Sequence, residues 1–287
     1  MMTKMPGNYN ALLRKAMNYF IFTLSGICIV ITIGLLFFLL GYILYMGLPA
    51  LTFEFFTELP KSEGEGGIAH AILGTLKLLS IAIVIAFPIG FFGGIYLSEF
   101  GSRSWMAYSV RYAADILTGI PSIVIGIFAY TIIVLPLKHF STLAGGIALS
   151  IILLPIVLKG TETFLKLVPE SLREAALALG MAQWRMILTV VVPYSLSGIL
   201  TCMMLGIARV AGETAPLLFT AFGNQYWSSG WLEPTASIPV MIYTYSISPY
   251  EEWQQQAWAA GTVLLILVFF ANLFSRIVLK RQEMAAK

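Results

Sequence analysis

Charge is scarce in this chain. Asp, Glu, Lys and Arg make up 11% of its 287 residues, where soluble domains carry about 25%. So little charge cannot cover a water-facing surface, which excludes an ordinary soluble domain. Cysteine is nearly absent as well. Cys28 and Cys202 both lie in apolar runs, match neither a disulfide framework nor a metal spacing, and are expected to be small buried hydrophobes. The only histidines, His70 and His139, stand far apart with no carboxylate cluster beside them, which argues against a metal or catalytic centre. No G-x4-G-K-[ST] occurs, so no Walker A loop is present to cradle ATP phosphates. A net charge of +3, spread along the chain, gives no reason to expect nucleic acid as a partner.

Hydrophobic length is what the chain has instead. Hydrophobic residues make up 59% of it, and the mean hydropathy is +0.87. Long apolar segments run near 20–47, 70–97, 112–137, 142–158, 191–220 and 256–279. Crossing a hydrocarbon core takes about 20 helical residues. The expectation is an all-α membrane protein, a polytopic bundle of six transmembrane helices in contact with lipid. The fourth segment is the shortest and contains Pro155. The first is too long for a signal-peptide core and no A-x-A site follows it, so it reads as an uncleaved span. With no linker and no clear repeat, residues 20–279 form one transmembrane domain, between a cytoplasmic segment 1–19 and a tail 280–287.

Basic residues orient the bundle. Lys4, Arg14 and Lys15 precede the first segment. Arg103 and Arg111 lie between the second and third. Lys159, Lys166, Arg173 and Arg185 lie between the fourth and fifth, and Arg276, Lys280, Arg281 and Lys287 close the chain. Only Lys61 and Lys138 fall in the other loops. The positive-inside rule then puts both termini in the cytoplasm. Loops 48–69 and 221–255 face outward. They carry the acids Glu54, Glu58, Glu63 and Glu65, and Glu233, Glu251 and Glu252.

The stretch "IARVAGETAP" (207–216) breaks the apolar pattern inside a spanning segment. A charge at the bilayer centre costs roughly 2.5–3.5 kcal/mol on insertion scales. Arg209 and Glu213 are four apart, so on one continuous helix they share a face. Lys77 lies about two turns into the second segment, where it either adds positive potential to a path or snorkels outward. Asp115 is expected to pair with Arg111 or to cap a helix.

The longest polar stretch, about 159–190, contains "KGTETFLKLVPESLREAALALGMAQWRMILTVVVP" in part. Ser171-Leu-Arg-Glu174 reads as a capping box, although Pro169 also permits an earlier start. Gly180 is placed to end the helix in a left-handed conformation. The result is a short amphipathic helix on the cytoplasmic face. It is either a surface helix tucked under the bundle or a docking element with a small Ala face.

Glu174-Ala175-Ala176, three residues, Gly180, nine residues, Val190, one residue and Val192-Pro193 resemble the EAA loop of ABC importer permeases, with Val in place of the Ile and Leu of the family pattern. The resemblance implies that Ser171, Glu174, Ala175, Ala176, Gly180 and Pro193 belong to a coupling element that sits in a cleft of a separate ATPase. Further stretches, "GGIYLSEFG" (93–101), "ILTGIPSIVIGIFAY" (116–130), "ARVAGETAPLLFTA" (208–221) and "SIPVMIYTYSISPYEEWQQQAWAAGTVLLIL" (237–267), resemble phosphate importer permeases of the PstA type. That resemblance implies a non-catalytic subunit of a bacterial or archaeal cytoplasmic membrane. Its implied partners are a PstC-type permease, a PstB-type ATPase dimer that binds ATP and Mg, and an extracytoplasmic phosphate-binding protein. No cofactor is expected in this chain itself.

Given that substrate, Arg209 supplies a planar fork matched to phosphate oxygens, and Glu213 neutralises it when the anion is absent. A purely structural ion pair is the competing reading. The open alternatives for function are a permease for sulfate or molybdate, an ion-coupled secondary transporter, and a membrane enzyme. The last lacks any reactive cluster.

Overall fold

The computed structural model describes residues 9–61, 66–101 and 104–285. Lys4, Glu63, Glu65, Arg103 and Lys287, which carry part of the charge asymmetry, lie outside them, as do residues 1–8 of the N-terminal segment and 286–287 of the tail. The named elements are all helical, and the β-pairing among the described residues is an isolated bridge between Pro60 and Gly66.

Helix α1 (Tyr9–Gly47) carries no charged residue after Lys15 and is buried only near its end. There Thr262 donates to the Ile43 carbonyl at 3.1 Å, and Tyr42 meets Trp258 edge-on at 5.4 Å. Cys28 is consequently exposed on this stand-off helix rather than buried as expected, and Cys202 is half-buried. After a 3-10 turn (Leu48–Ala50), α2 (Phe53–Thr57) starts at Thr52, whose hydroxyl accepts from Phe55 N–H at 3.3 Å.

The centre is the pair α3 (Ala69–Ile95), continued by a π-helical turn (Tyr96–Phe100), and α7 (Thr142–Lys166). Gly90 and Gly94 let them approach closely. A Cβ built at Gly94 would sit 2.5 Å from Thr161 Cβ. Leu78, Ala82 and Ala86 pack with Leu149, Leu153 and Val157 there.

Three sequence expectations need correction. The third segment is not a straight span. Helix α4 (Trp105–Gly119) meets α5 (Ser122–Ala129) at a bend, and a π turn (Tyr130–Val134) and α6 (Leu135–Leu137) follow. The bend is 105°. A residue before proline is driven out of the helical region, and Ile120, before Pro121, takes ψ 130°.

The fourth segment does not stop at 158. Helix α7 runs to Lys166 and is the most buried of the spans, because its polar end finds partners. Lys159 pairs with Asp115 at 2.5 Å, and Glu162 pairs with Arg111 at 2.7 Å and Lys166 at 2.5 Å. Asp115 therefore pairs with Lys159, not with Arg111.

The fifth segment begins earlier and ends sooner than expected. Helices α8 (Glu170–Ala178) and α9 (Gln183–Met186) lead through a π turn (Ile187–Val191) into α10 (Val192–Ala211), and α11 (Ala215–Thr220) is separate. A continuous helix would need an N–H at position 216 to reach the Gly212 carbonyl, and Pro216 has none. Arg209 thus lies in the last turn of α10, while Glu213 lies beyond its end. Helix α12 (Ile238–Ser246) and the long α13 (Glu251–Ala285) complete the bundle.

Candidate translocation cavity and coupling surface

The two helix breaks meet. A cavity of about 150 Å³ is lined by Leu117, Thr118, Ile120, Pro121 and Ser122 from the α4–α5 bend, Ile152 and Ile156 from α7, and Arg209 and Glu213 from the α10–α11 break. Arg209 and Glu213 face one cavity although they do not share a helix face, and no hydrogen bond or ion pair joins them. Arg209 is exposed and Glu213 half-buried in the isolated chain.

Neither Thr118 nor Ser122 stands out in the sequence, yet the bend brings both into the lining of the cavity that Arg209 also lines. Thr118 is oriented by its donation to the Ala114 carbonyl at 2.8 Å and receives Lys159 Nζ at 3.0 Å. A guanidinium with no carboxylate on it, lining a cavity that also carries the side chains of Thr118 and Ser122, has the chemistry to hold an oxyanion.

Lys77 does not line this cavity. It reaches the loop between α11 and α12, where Nζ donates to the Ser228 carbonyl. The same loop is ordered by Glu233, whose carboxylate accepts from the Ser229 and Gly230 N–H groups at 3.0 and 3.2 Å. Those bonds, Gly230 first, hold the Glu233 carboxyl below its ordinary value.

Helix α8 ends in a Schellman motif. Gly180 has φ +78°. Its N–H donates to Leu177 O at 2.9 Å and that of Met181 to Ala176 O at 3.3 Å. The start differs from the capping box. Pro169 occupies the N-cap position without a side-chain cap bond, so Ser171 and Glu174 lie one and four residues inside the helix start at Glu170. The extended ψ of 138° at Pro169 and the early Glu170, favourable at a helix N-terminus, start the helix before Ser171 is reached.

Ala176 is the buried residue of α8, against Leu165, Val168 and Met186. Ser171, Glu174, Ala175 and Gly180 are exposed, as is Leu179 at 82%. Pro193 sits in the first turn of α10, directly after the π turn. An α-helical continuation would clash its ring with the Thr189 carbonyl, and the wider turn relieves that.

Sequence reading missed two buried carboxylates, Glu99 and Glu162. The i, i+4 spacing of Glu162 and Lys166 was a usable local signal. Glu99 had none, because its partner Arg173 is 74 positions away.

A helical bundle with five helices long and apolar enough to cross a membrane, or six if the bent pair is one span, and a polar cavity at its helix breaks is built as a membrane-embedded subunit. Residues 86–284 match the family described as "Binding-protein-dependent transport system inner membrane component". The chain is 46% identical over 239 residues to the phosphate transport system permease protein PstA of Yersinia pestis, covering 83% of this chain and 81% of that one. It is 42% identical over 265 residues to PstA of Pasteurella multocida (92% and 95% covered). A probable PstA of the archaeon Methanocaldococcus jannaschii is 39% identical over 233 residues (81% and 83%). The chain therefore belongs to the binding-protein-dependent inner membrane components, and among them to the PstA-type permeases.

Solved structures agree at the level of fold. An inward-facing form of the MetNI methionine ABC transporter matches with TM-score 0.59 at 16% identity, over 75% of this chain and 97% of that one. An ABC importer of the acidic polysaccharide alginate matches with TM-score 0.52 at 19% identity, over 94% and 98%.

Proposed function

We propose that this chain is the permease subunit of an ATP-driven inorganic phosphate importer and forms half of its translocation pathway. The observation that carries the reading is the cavity in which Arg209 faces Thr118 and Ser122 with no carboxylate bound to it. The PstA relatives favour phosphate over sulfate or molybdate. Arg209 takes the anion from water with its planar N–H fork, and Glu213 balances its charge between turnovers. Lys77 holds the outer loop through Ser228 and adds positive potential at the outer end of α3.

The other half of the pathway is a PstC-type permease. A PstB-type ATPase dimer binds ATP and Mg and docks on the exposed face of α8, with Ser171, Glu174 and Ala175 in contact, Ala176 and Gly180 shaping the helix, and Pro193 opening the span that follows. This chain then needs no cofactor. An extracytoplasmic phosphate-binding protein delivers the anion. Both termini are cytoplasmic by the distribution of Lys and Arg; a reporter fused at Trp231 should register outside, and cytoplasmic activity there would reject this orientation.

The deciding experiment is uptake of labelled phosphate and labelled sulfate by cells with and without this chain. Phosphate uptake that depends on the chain, with sulfate unaffected, is expected. The reverse pattern would replace phosphate as the substrate.

A further inference from the structure

Two arginines of the same construction tie the cytoplasmic ends of four helices together. Arg111 of α4 donates to Glu162 on α7 at 2.7 Å and to the Leu97 carbonyl, at the end of α3, at 2.8 Å. Arg173 of α8 donates to the Glu99 carboxylate, in the π turn that ends α3, and to the Leu165 carbonyl of α7 at 2.7 Å. Each guanidinium takes a carboxylate from one helix of the central pair and a carbonyl from the other, and Arg111 also donates to the Gly101 carbonyl at 3.4 Å. In both cases the acceptors lie on α3 and α7, so the central pair is gripped from two sides.

The Glu99–Arg173 side is the more deeply buried, with side chains 4% and 11% exposed. Ser98 also donates to the Glu99 carboxylate at 2.9 Å, and Glu170, at 3.7 Å from Arg173, is exposed. Arg173 directly precedes Glu174. Glu174 and Ala175 face outward, while Arg173 turns in.

The buried apolar side chain of α8 is the methyl group of Ala176. Such a contact resists separation but fixes no direction. A planar fork on two acceptors from two helices fixes both distance and direction.

We infer that Glu99 and Arg173 are the joint through which displacement of α8 is passed to the α3–α7 pair. They are positioning residues, buried behind the exposed face of α8. This inference rests on the reading of α8 as the ATPase-docking helix. If the pair is the joint, loosening it lets α8 follow the ATPase while the spans stay behind. ATP hydrolysis then continues with less transport.

The test uses the full complex in proteoliposomes, with both permeases, the ATPase and the binding protein, and reads phosphate taken up per ATP hydrolysed. Glu99→Gln keeps shape and an acceptor oxygen but removes the charge. Arg173→Lys keeps the charge but loses the fork. Both complexes are expected to retain the ATPase, and uptake per ATP is expected to fall about tenfold, the factor for one weakened charge-assisted hydrogen bond.

A change below about twofold, within the scatter of unrelated substitutions, overturns the inference. So does loss of the ATPase from the Glu99→Gln complex, which would make the pair a folding or docking element. The docking reading is checked separately by Glu174→Lys on the exposed face. Full ATPase retention there rejects docking, whatever the ratio for Glu99→Gln.

Discussion

Arg209 and Glu213 line one cavity without being joined by an ion pair, because α10 ends between them. Arg209→Ala should lower phosphate uptake by tenfold or more, as expected for removing a charged hydrogen-bond donor, with the ATPase still bound. Arg209→Lys should fall between that variant and the parent, since the point charge remains and the fork is lost. The exchange Arg209→Glu with Glu213→Arg should stay inactive. Uptake by the exchanged protein near the parental rate would mean that the two charges serve packing alone.

Gly180 presents a separable prediction. No atom lies within 4 Å of a Cβ built there, so the glycine is required only by its φ of +78°. A left-handed conformation costs ordinary residues roughly 1–2 kcal/mol, and Asn tolerates it better. Gly180→Val should therefore impair ATPase association and uptake, and Gly180→Asn should recover most of both. Equal defects in co-purification assays would point to steric contact with a partner rather than to backbone conformation.

Gly94 is the opposite case. An added methyl would press on Thr161 of α7, and overpacking costs typically about 1–3 kcal/mol. Gly94→Ala should lower the unfolding temperature of the purified complex. Gly119→Ala, where nothing lies within 4 Å, should leave it nearly unchanged. A thermal melt that ranks them the other way contradicts the close α3–α7 packing.

The Glu233 carboxyl is held low chiefly by the Gly230 and Ser229 N–H groups, with Lys77 adding a smaller pull. A depressed folded-state pKa contributes stability that is present above the ordinary carboxylate range of about 4. That contribution is lost as pH falls through the depressed value. Proteolytic nicking of loop 224–232 should thus be slow near pH 7 and accelerate in strong acid. In Glu233→Gln it should be fast at both. A nicking rate independent of pH in the parent protein would remove Glu233 as the loop's fastener.

The helical class and the apolar runs were legible because lipid imposes a strong one-dimensional pattern on the chain. Gly180 was legible for a local reason, since a helix end that needs positive φ selects glycine. The bend at Ile120–Pro121 and the break at Gly212–Pro216 were written in proline chemistry, but hydropathy reads straight across both. The capping box at Ser171 failed because an earlier residue can start the same helix. Length misled at Lys159–Lys166, where the charges looked like a loop and were instead neutralised by Asp115 and Arg111 from another helix. Such pairings depend on how distant segments meet, as do Glu99 with Arg173 and the shared cavity lined by Thr118, Ser122 and Arg209. No spacing rule along the chain encodes them.

The meeting of α1 with α13 has a consequence for biogenesis. Ile43 receives its hydrogen bond from Thr262, 219 positions later. During synthesis the first span enters the bilayer long before its neighbour exists. It waits in lipid apart from α13, and the absence of charge after Lys15 makes that wait tolerable. Only when the final span leaves the ribosome can the first one dock. Seating of α1 therefore depends on a partner made 219 positions later, and α1 stays unpaired with α13 until that helix has been inserted.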